Sequence, residues 1–164
     1  MPSFDITTGA DLQEVDNALN QVRKELANRY DFKGVKWEID FQRKEGKLIL
    51  AAEDGTRLEA IWDLLREKFV KRGVSSKNLQ AGKQSDATLG TVRQEVTIAQ
   101  GIEIEQARVI VKAVKETGIK KVQASIQGDV VRVSAPKRDD LQECMAILRK
   151  GDFEIDLKFG NFRE

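Results

Sequence analysis

The stretch from Lys120 to Glu143, KKVQASIQGDVVRVSAPKRDDLQE, decides the fold prediction because it contains two strands, a turn and the start of a helix. Apolar and polar residues alternate over 122–126 and again over 131–134, and Gly128-Asp129 separates the two runs. This pattern predicts a β-hairpin with one apolar and one polar face. After Lys137-Arg138-Asp139-Asp140 the apolar residues recur at helical spacing, which predicts a helix.

The same order of elements occurs twice in the chain. Phe4 and Ile6 begin the first series as Val96 and Ile98 begin the second, and in both a helix, a hairpin and a second helix follow. An internal duplication of a βαββαβ unit predicts an α+β protein with two ferredoxin-like domains. Each would be a four-stranded antiparallel sheet with two helices on one face. The predicted domains are residues 1–80 and 91–164, joined by a hinge of loop composition at 81–90.

Charge and hydropathy argue against two classes of protein, nonspecific nucleic-acid binders and membrane proteins. The 164 residues carry 28 basic and 27 acidic side chains, a net charge of only +1. This balance argues against a strongly basic, nonspecific nucleic-acid binder, although it is compatible with a local basic patch. No segment approaches the roughly 20 apolar residues of a membrane span, and the N-terminus lacks a signal-peptide pattern. We therefore expect a soluble cytoplasmic protein with no membrane partner.

The residue inventory also limits the chemistry. Histidine is absent and Cys144 is the single cysteine, so a transition-metal site and Ser-His or Cys-His catalysis are not expected. Gly46-Lys47 and Gly82-Lys83 lack the rest of a phosphate loop. We therefore predict that the protein is not an enzyme and has no cofactor. Cys144 shares a helical face with Leu141 and Leu148 and is interpreted as a core residue.

The polar face of the predicted C-terminal sheet supplies the first candidate ligand-binding residues, Gln123, Gln127 and Arg132. They could hydrogen-bond a ligand, or they could face solvent or the other domain. No aromatic residue shares this face, so the base stacking typical of RNA-binding domains of this architecture is not expected there.

The predicted helix start at Lys137, Arg138 and Asp139 supplies the second set. Arginine recognises the N7 and O6 edge of guanine, a carboxylate accepts from its N1 and N2 side, and phosphates favour cations at helix N-termini. The alternative interpretation is that Asp139 and Asp140 cap the helix and the cations are solvated.

Two further segments contain an aromatic residue beside a cation. Phe32 could stack on a base with Lys33 beside a phosphate, or Phe32 could pack beneath the end of the preceding helix. Arg163, near the C-terminus, could reach a phosphate or pair with a surface carboxylate.

Seven motifs spread over the whole chain resemble the bacterial YajQ family. They are MPSFDI, YDFKG, KRG, TVRQEVTIAQGI, KKVQASIQGD, SAPKRDDLQ and FGNFRE. The resemblance implies a cytosolic nucleotide-binding protein of two ferredoxin-like domains that exchange their N-terminal strands. Residues 3–7 would then join the sheet of the C-terminal half and residues 92–98 that of the N-terminal half, an arrangement that periodicity alone does not specify.

The resemblance also implies ligands, since family members are linked to RNA or GTP binding and, in some bacteria, to sensing cyclic di-GMP and acting on transcription. The leading prediction is a non-catalytic protein that binds a guanine nucleotide, cyclic di-GMP or RNA. The alternative is a protein-interaction adaptor that acts on a transcription regulator.

Overall fold

The computed structural model describes residues 1–164 and contains nine strands and four α-helices. The strands are β1 (Ser3–Thr7), β2 (Trp37–Gln42), β3 (Lys47–Ala52), β4 (Leu79–Ala81), β5 (Ser85–Asp86), β6 (Val92–Ile98), β7 (Gln123–Gln127), β8 (Val130–Ser134) and β9 (Lys158–Arg163). The helices are α1 (Leu12–Asn28), α2 (Gly55–Lys71), α3 (Ile104–Glu116) and α4 (Arg138–Lys150). The predicted α+β class is confirmed.

The chain forms two compact units. The terminal unit combines Met1–Gly9 with Gln100–Glu164, and the central unit is Ala10–Ala99. The chain therefore leaves the terminal unit after Gly9 and returns to it after Ala99. Residues 81–90, the predicted hinge, belong to the central unit, where β5 pairs with β6. Whether this segment acts as a hinge stays a prediction.

Strand exchange defines both antiparallel sheets. The terminal sheet has the order β7-β8-β1-β9, and the central sheet has the order β2-β3-β6-β4 with β5 also pairing with β6. In the terminal sheet Phe4 lies opposite Val133 and Ile6 opposite Val131. In the central sheet Leu48 lies opposite Val96. The predicted fold class of two ferredoxin-like domains with exchanged N-terminal strands is confirmed, and β5 adds to the central sheet a fifth strand beyond the four predicted.

The core of the terminal unit lies between one face of its sheet and helices α3 and α4. Its buried apolar residues are Phe4, Ile6, Ile102, Ala107, Ile110, Val114, Val131, Val133, Ala135, Leu141, Cys144, Met145, Leu148 and Ile155. Burial, and secondarily the charge of Glu143, raises the pKa of the Cys144 thiol to about 11. Because it is buried and protonated at neutral pH, Cys144 is the core residue that its helical spacing predicts.

The core of the central unit lies between its sheet and helices α1 and α2. Its largest fully buried side chains are Leu19, Leu26, Leu48, Leu50, Leu58, Ile61, Leu65 and Phe69. One polar residue, Gln94, shares this face, opposite Leu50. Its Nε2 donates to the carbonyl oxygen of Gly82 at 2.8 Å, and the Gly82 N–H donates to the Glu95 carbonyl at 2.8 Å. These bonds tie the start of the 81–90 segment to β6.

The helix starts differ in how their free N–H groups are satisfied. The Asp11 side chain caps α1 by accepting from the Gln13 N–H, and the Asp54 side chain caps α2 by accepting from the Arg57 N–H. Glu103 and Gln106 form a capping box at α3. Helix α4 begins after Lys137 without a side-chain cap. None of the four helices is both long enough and apolar enough to cross a membrane.

Candidate functional site

A cavity of about 220 Å³ in the terminal unit lies where the first turns of α4 meet the ends of β1 and β9. We call it the α4 cavity. Its lining residues are Pro2, Ser3, Arg138, Leu141, Gln142, Met145, Phe162, Arg163 and Glu164. Since β1 lies between β8 and β9, strand exchange brings Ser3 opposite Arg163. The cavity therefore depends on the exchange, and it brings together two predicted site residues, Arg138 and Arg163.

The start of α4 contributes backbone donors beside this cavity. Lys137 is the N-cap residue, and no side chain accepts a hydrogen bond from the first turn. The interpretation that Asp139 and Asp140 cap the helix is therefore wrong, because they lie within the first turn, where their charges favour the helix dipole. The uncapped N–H groups of this turn need partners from outside the helix, such as water or an anion.

Arg138 is engaged in an ion pair at the cavity. Its Nη2 pairs with Oε1 of Glu164, and both side chains are exposed. An exposed pair of this kind contributes little to stability because water competes for both groups. Glu164 is therefore a carboxylate that an incoming anion could displace from Arg138.

Phe162 supplies an aromatic surface at the cavity. Its ring lies 6.2 Å from that of Phe4, centroid to centroid, and Phe4 also contacts Phe159 at 5.9 Å. Phe4 is fully buried, whereas Phe162 is 60% exposed. One side of Phe162 thus packs on the core, and the rest of the ring is accessible to a ligand.

A polar network lies on the sheet face opposite the core. Arg132 Nε donates to Oδ1 of Asp5 at 3.0 Å, and Asn161 Nδ2 donates to Oδ2 of Asp5 at 2.6 Å. Asp5 is only 7% exposed. Arg132, a predicted ligand contact, therefore forms an ion pair with the carboxylate of Asp5 on β1.

Asn161 reaches Asp5 because β9 contains a bulge. Ser3 pairs with Arg163 and Asp5 pairs with Gly160, so two residues of β9 face one residue of β1. Asn161 has φ of 50°, in the left-handed region that asparagine tolerates better than most residues. The bulge turns the Asn161 side chain toward Asp5.

The network determines the protonation state of Asp5. Burial alone would raise the pKa of this carboxyl, but hydrogen bonds from Arg132 and Asn161 and the charges of Arg132 and Arg163 outweigh that effect. The pKa of Asp5 is therefore held below its usual value, and the side chain is an anion at neutral pH.

Replacing Asp5 with asparagine should remove a pH-dependent part of the stability. Because the folded-state pKa is lowered, the contribution is complete above the unfolded pKa of about 3.9 and is lost as pH falls through the folded value. We expect Asp5→Asn to cost about 1–3 kcal/mol at neutral pH, with a smaller difference from wild type at acidic pH. Urea titrations followed by far-UV circular dichroism between about pH 7 and pH 2.5 measure this. A difference that stays constant over the range would contradict it.

Comparison with known proteins identifies the family. The family model described as "Nucleotide-binding protein YajQ-like" matches residues 2–163. The chain belongs to the YajQ family. A protein named "Nucleotide-binding protein" from Geotalea uraniireducens is 51% identical over 164 residues, which cover the whole of both chains. Proteins with the same name from Anaeromyxobacter sp. (strain K) and Geotalea daltonii are 50% and 48% identical, again over both whole chains.

In this YajQ chain the predicted sheet-face residues lie near one edge of the terminal sheet. Gln123 and Gln127 are exposed on β7, the edge strand, and Gln127 Nε2 donates to Ser125 Oγ at 3.2 Å. Ser125 lies opposite Arg132 in the next strand. These residues share a face with Asp5 but do not line the α4 cavity.

The other predicted aromatic site of this YajQ chain lies in the central unit. Phe32 is 3% exposed and belongs to the hydrophobic core, with Arg29 Cζ 5.5 Å from the centre of its ring. A stacking base needs an accessible ring face, so the structure favours the second interpretation of Phe32, packing beneath the end of a helix. Lys33 is exposed beside it.

Asp5 and Glu164 of this YajQ chain were not among the site residues predicted from the sequence. Asp5 alternates with Phe4 and Ile6 as any polar residue of a half-buried strand does, so nothing distinguished it. The only available signal was the exchange of β1, which places Asp5 in the same sheet as Arg132 and beside β9.

Proposed function

We propose that this chain binds a nucleotide in the α4 cavity, with phosphate groups held by Arg138 and Arg163. The observation that carries the proposal is the convergence of these two arginines on one cavity beside an uncapped helix start. Arginine forms charge-assisted, often bidentate hydrogen bonds with phosphate, and the free N–H groups of a helix start favour the same charge. The names of the relatives in the family support this class of ligand.

Phe162 in the cavity and Asp139 beside it favour a purine base, and guanine in particular. The exposed part of the Phe162 ring offers a stacking surface. Asp139, in the first turn of α4 next to Arg138, is an exposed carboxylate of the kind that accepts from the N1 and N2 side of guanine.

The size of the cavity favours a small ligand. Pockets for drug-sized molecules usually measure about 300–1,000 Å³, and the α4 cavity, at about 220 Å³, lies just below that range. A single guanine nucleotide, or one half of a cyclic dinucleotide such as cyclic di-GMP, suits it better than a folded RNA. The proposed function is binding, with no reaction assigned to these residues.

Calorimetric titration of the purified protein, stripped of nucleic acid, with GTP, cyclic di-GMP and a short RNA at two salt concentrations tests the proposal. We expect micromolar or tighter binding of a guanine nucleotide with a weak salt dependence. Binding of RNA alone, with a steep salt dependence, would reject the small ligand. Binding of none of the three would reject nucleotide binding and favour an adaptor that acts on a protein such as a transcription regulator.

Glu164→Gln should tighten nucleotide binding. The substitution removes the negative charge that competes with phosphate for Arg138, so we expect a Kd about 2–5-fold lower, consistent with the modest strength of exposed ion pairs. Calorimetry on the two proteins measures the difference. Glu116→Gln, at the exposed end of α3, is the matched control and should leave the Kd unchanged. If Glu164→Gln weakens binding instead, the carboxylate contacts the ligand and Arg138 does not need to be released.

A further inference from the structure

The edges of the two sheets differ in how they are protected against pairing with another chain. Edge β9 contains the bulge at Asn161 and charged residues at both ends. Edge β2 carries exposed Glu38 and Asp40, and the opposite edge of the central sheet is formed by the short strands β4 and β5. Bulges, charges and short strands are the devices by which natural sheets prevent edge-to-edge association.

Edge β7 has none of these devices. Its sequence, QASIQ, contains no charged residue, proline or glycine, and it pairs only with β8. Ala124 and Ile126 are half-buried and point to the same side as the core, while Gln123, Ser125 and Gln127 are exposed on the other face. The strand therefore presents a regular, uncharged edge.

The backbone groups available along this edge follow from the hairpin. Gly128-Asp129 is a two-residue turn, and Gln127 and Val130, which flank it, form a pair whose backbone groups bond to each other. Pairs alternate along an antiparallel ladder, so Gln123, Ser125 and Gln127 bond toward β8, whereas the N–H and C=O groups of Ala124 and Ile126 point outward. These outward groups can bond to a further strand.

The sequence of β7 is complementary to itself about Ser125. An antiparallel pairing with a second β7 places Ser125 opposite Ser125, Ala124 opposite Ile126 and Gln123 opposite Gln127. Ala124 and Ile126 of the two copies would then exchange about four backbone hydrogen bonds, since these are the residues with outward groups. Polar residues meet polar residues on one face, and apolar residues meet apolar residues on the other.

Charges next to the strand match the same register. In this register the turn that carries Lys121 of one copy lies next to the turn that carries Asp129 of the other, and both residues are exposed. Lys121 has φ of 67°, so the chain turns at this point and the strand does not extend further toward the N-terminus. Opposite charges at the two ends favour this register over a shifted one.

We propose that two copies of the chain associate through β7 in this antiparallel register and form one continuous eight-stranded sheet from their terminal units. A two-fold interface of this kind uses the same surface on both copies. The α4 cavity is formed by β1, β9 and α4, at the other side of the sheet order, so the pairing leaves it open. The contact is short, and we expect a dimer that dissociates on dilution.

Disulfide cross-linking of variants with one added cysteine tests the register. Paired residues that do not exchange backbone bonds lie about 4.5 Å apart between Cα atoms, within reach of a disulfide. We expect Ser125→Cys to give a covalent dimer under mild oxidation. Gln123→Cys and Gln127→Cys should each remain monomeric, because two copies of either residue lie on the order of 14 Å apart. Mixing these two variants should restore cross-linking. The native Cys144 is buried, so the wild-type protein, which contains only this cysteine, gives the background level of cross-linking.

The contrast between these variants decides the proposal. Faster cross-linking of Ser125→Cys than of either glutamine variant, together with cross-linking in the mixture, supports the two-fold pairing. Equal rates for all three variants would mean random collision and would overturn it. A Ser125→Cys protein that does not cross-link would also overturn the proposal. This is the result expected if β7 pairs instead with an extended segment of another protein.

Discussion

Phe4→Ala is expected to lower the free energy of unfolding of the terminal unit by about 3–5 kcal/mol. Phe4 lies on β1, an inner strand of the terminal sheet, where it is fully buried and contacts both Phe159 and Phe162. Its replacement removes the transfer free energy of a large aromatic side chain and leaves a cavity. Because β1 lies between β8 and β9, the lost contacts are those that hold the exchanged strand in place.

Two probes report on the two units separately. Cys144 is buried in the terminal unit, so its rate of labelling by a thiol reagent measures opening of that unit. The fluorescence of Trp37 and Trp62, the two tryptophans of the chain, measures unfolding of the central unit, to which both belong. We expect Phe4→Ala to speed labelling of Cys144 in low urea. The control Tyr30→Ala, at a residue that is 92% exposed, should change neither probe by more than about 0.5 kcal/mol. Unchanged labelling in Phe4→Ala would show that β1 does not hold the terminal unit together.

Combined replacement of Arg138 and Arg163 by alanine should weaken nucleotide binding by at least about 100-fold. A hydrogen bond to a charged group contributes about 1.5–3 kcal/mol, and each 1.4 kcal/mol is a factor of ten in Kd. Both side chains are exposed, so their removal should leave the fold intact. Each single variant should show an intermediate loss.

Titration calorimetry separates the proposed contacts from general charge effects when it compares four proteins: wild type, Arg138→Ala, Arg138→Lys and Arg108→Ala. Arg108→Ala removes one positive charge from the exposed face of α3 and should bind as wild type does. Arg138→Lys keeps the charge but loses the planar fork, so it should recover only part of the affinity. If Arg108→Ala loses as much affinity as Arg138→Ala, binding depends on net charge and the α4 cavity is not the site.

Local elements were predictable because their signals lie within a few residues of each other. The hairpin of β7 and β8 follows from alternation around Gly128, which has φ of 64°, and the start of α2 follows from the capping residue Asp54. The strand exchange did not follow from the pattern. Strands β1 and β6 have similar alternation and both precede a helix, so either could pair with either hairpin, and only the family resemblance predicted the exchange.

The site was predictable only in part, for the same reason. Arg138 and Arg163 were candidates separately, but their convergence depends on β9 pairing with β1, contacts that join the two ends of the chain. The contact of Arg132 with Asp5 was not predictable because Asp5 lies 127 positions earlier in the chain. Phe32 shows the opposite case, in which a local motif is compatible with both exposure and burial and only packing decides between them.

The exchanged strand also affects the order in which the protein can fold during its synthesis. All residues of the central unit have been synthesised once Ala99 is added, whereas β1, made before them, must wait for β8 and β9. At about 5–20 residues per second, the segment Gln100–Glu164 takes roughly 3–13 s to synthesise. During this interval Phe4 and Ile6 have no strand partners and are exposed to solvent or to a chaperone. The nascent chain therefore carries an unpaired apolar strand on the N-terminal side of a unit whose residues have all been synthesised.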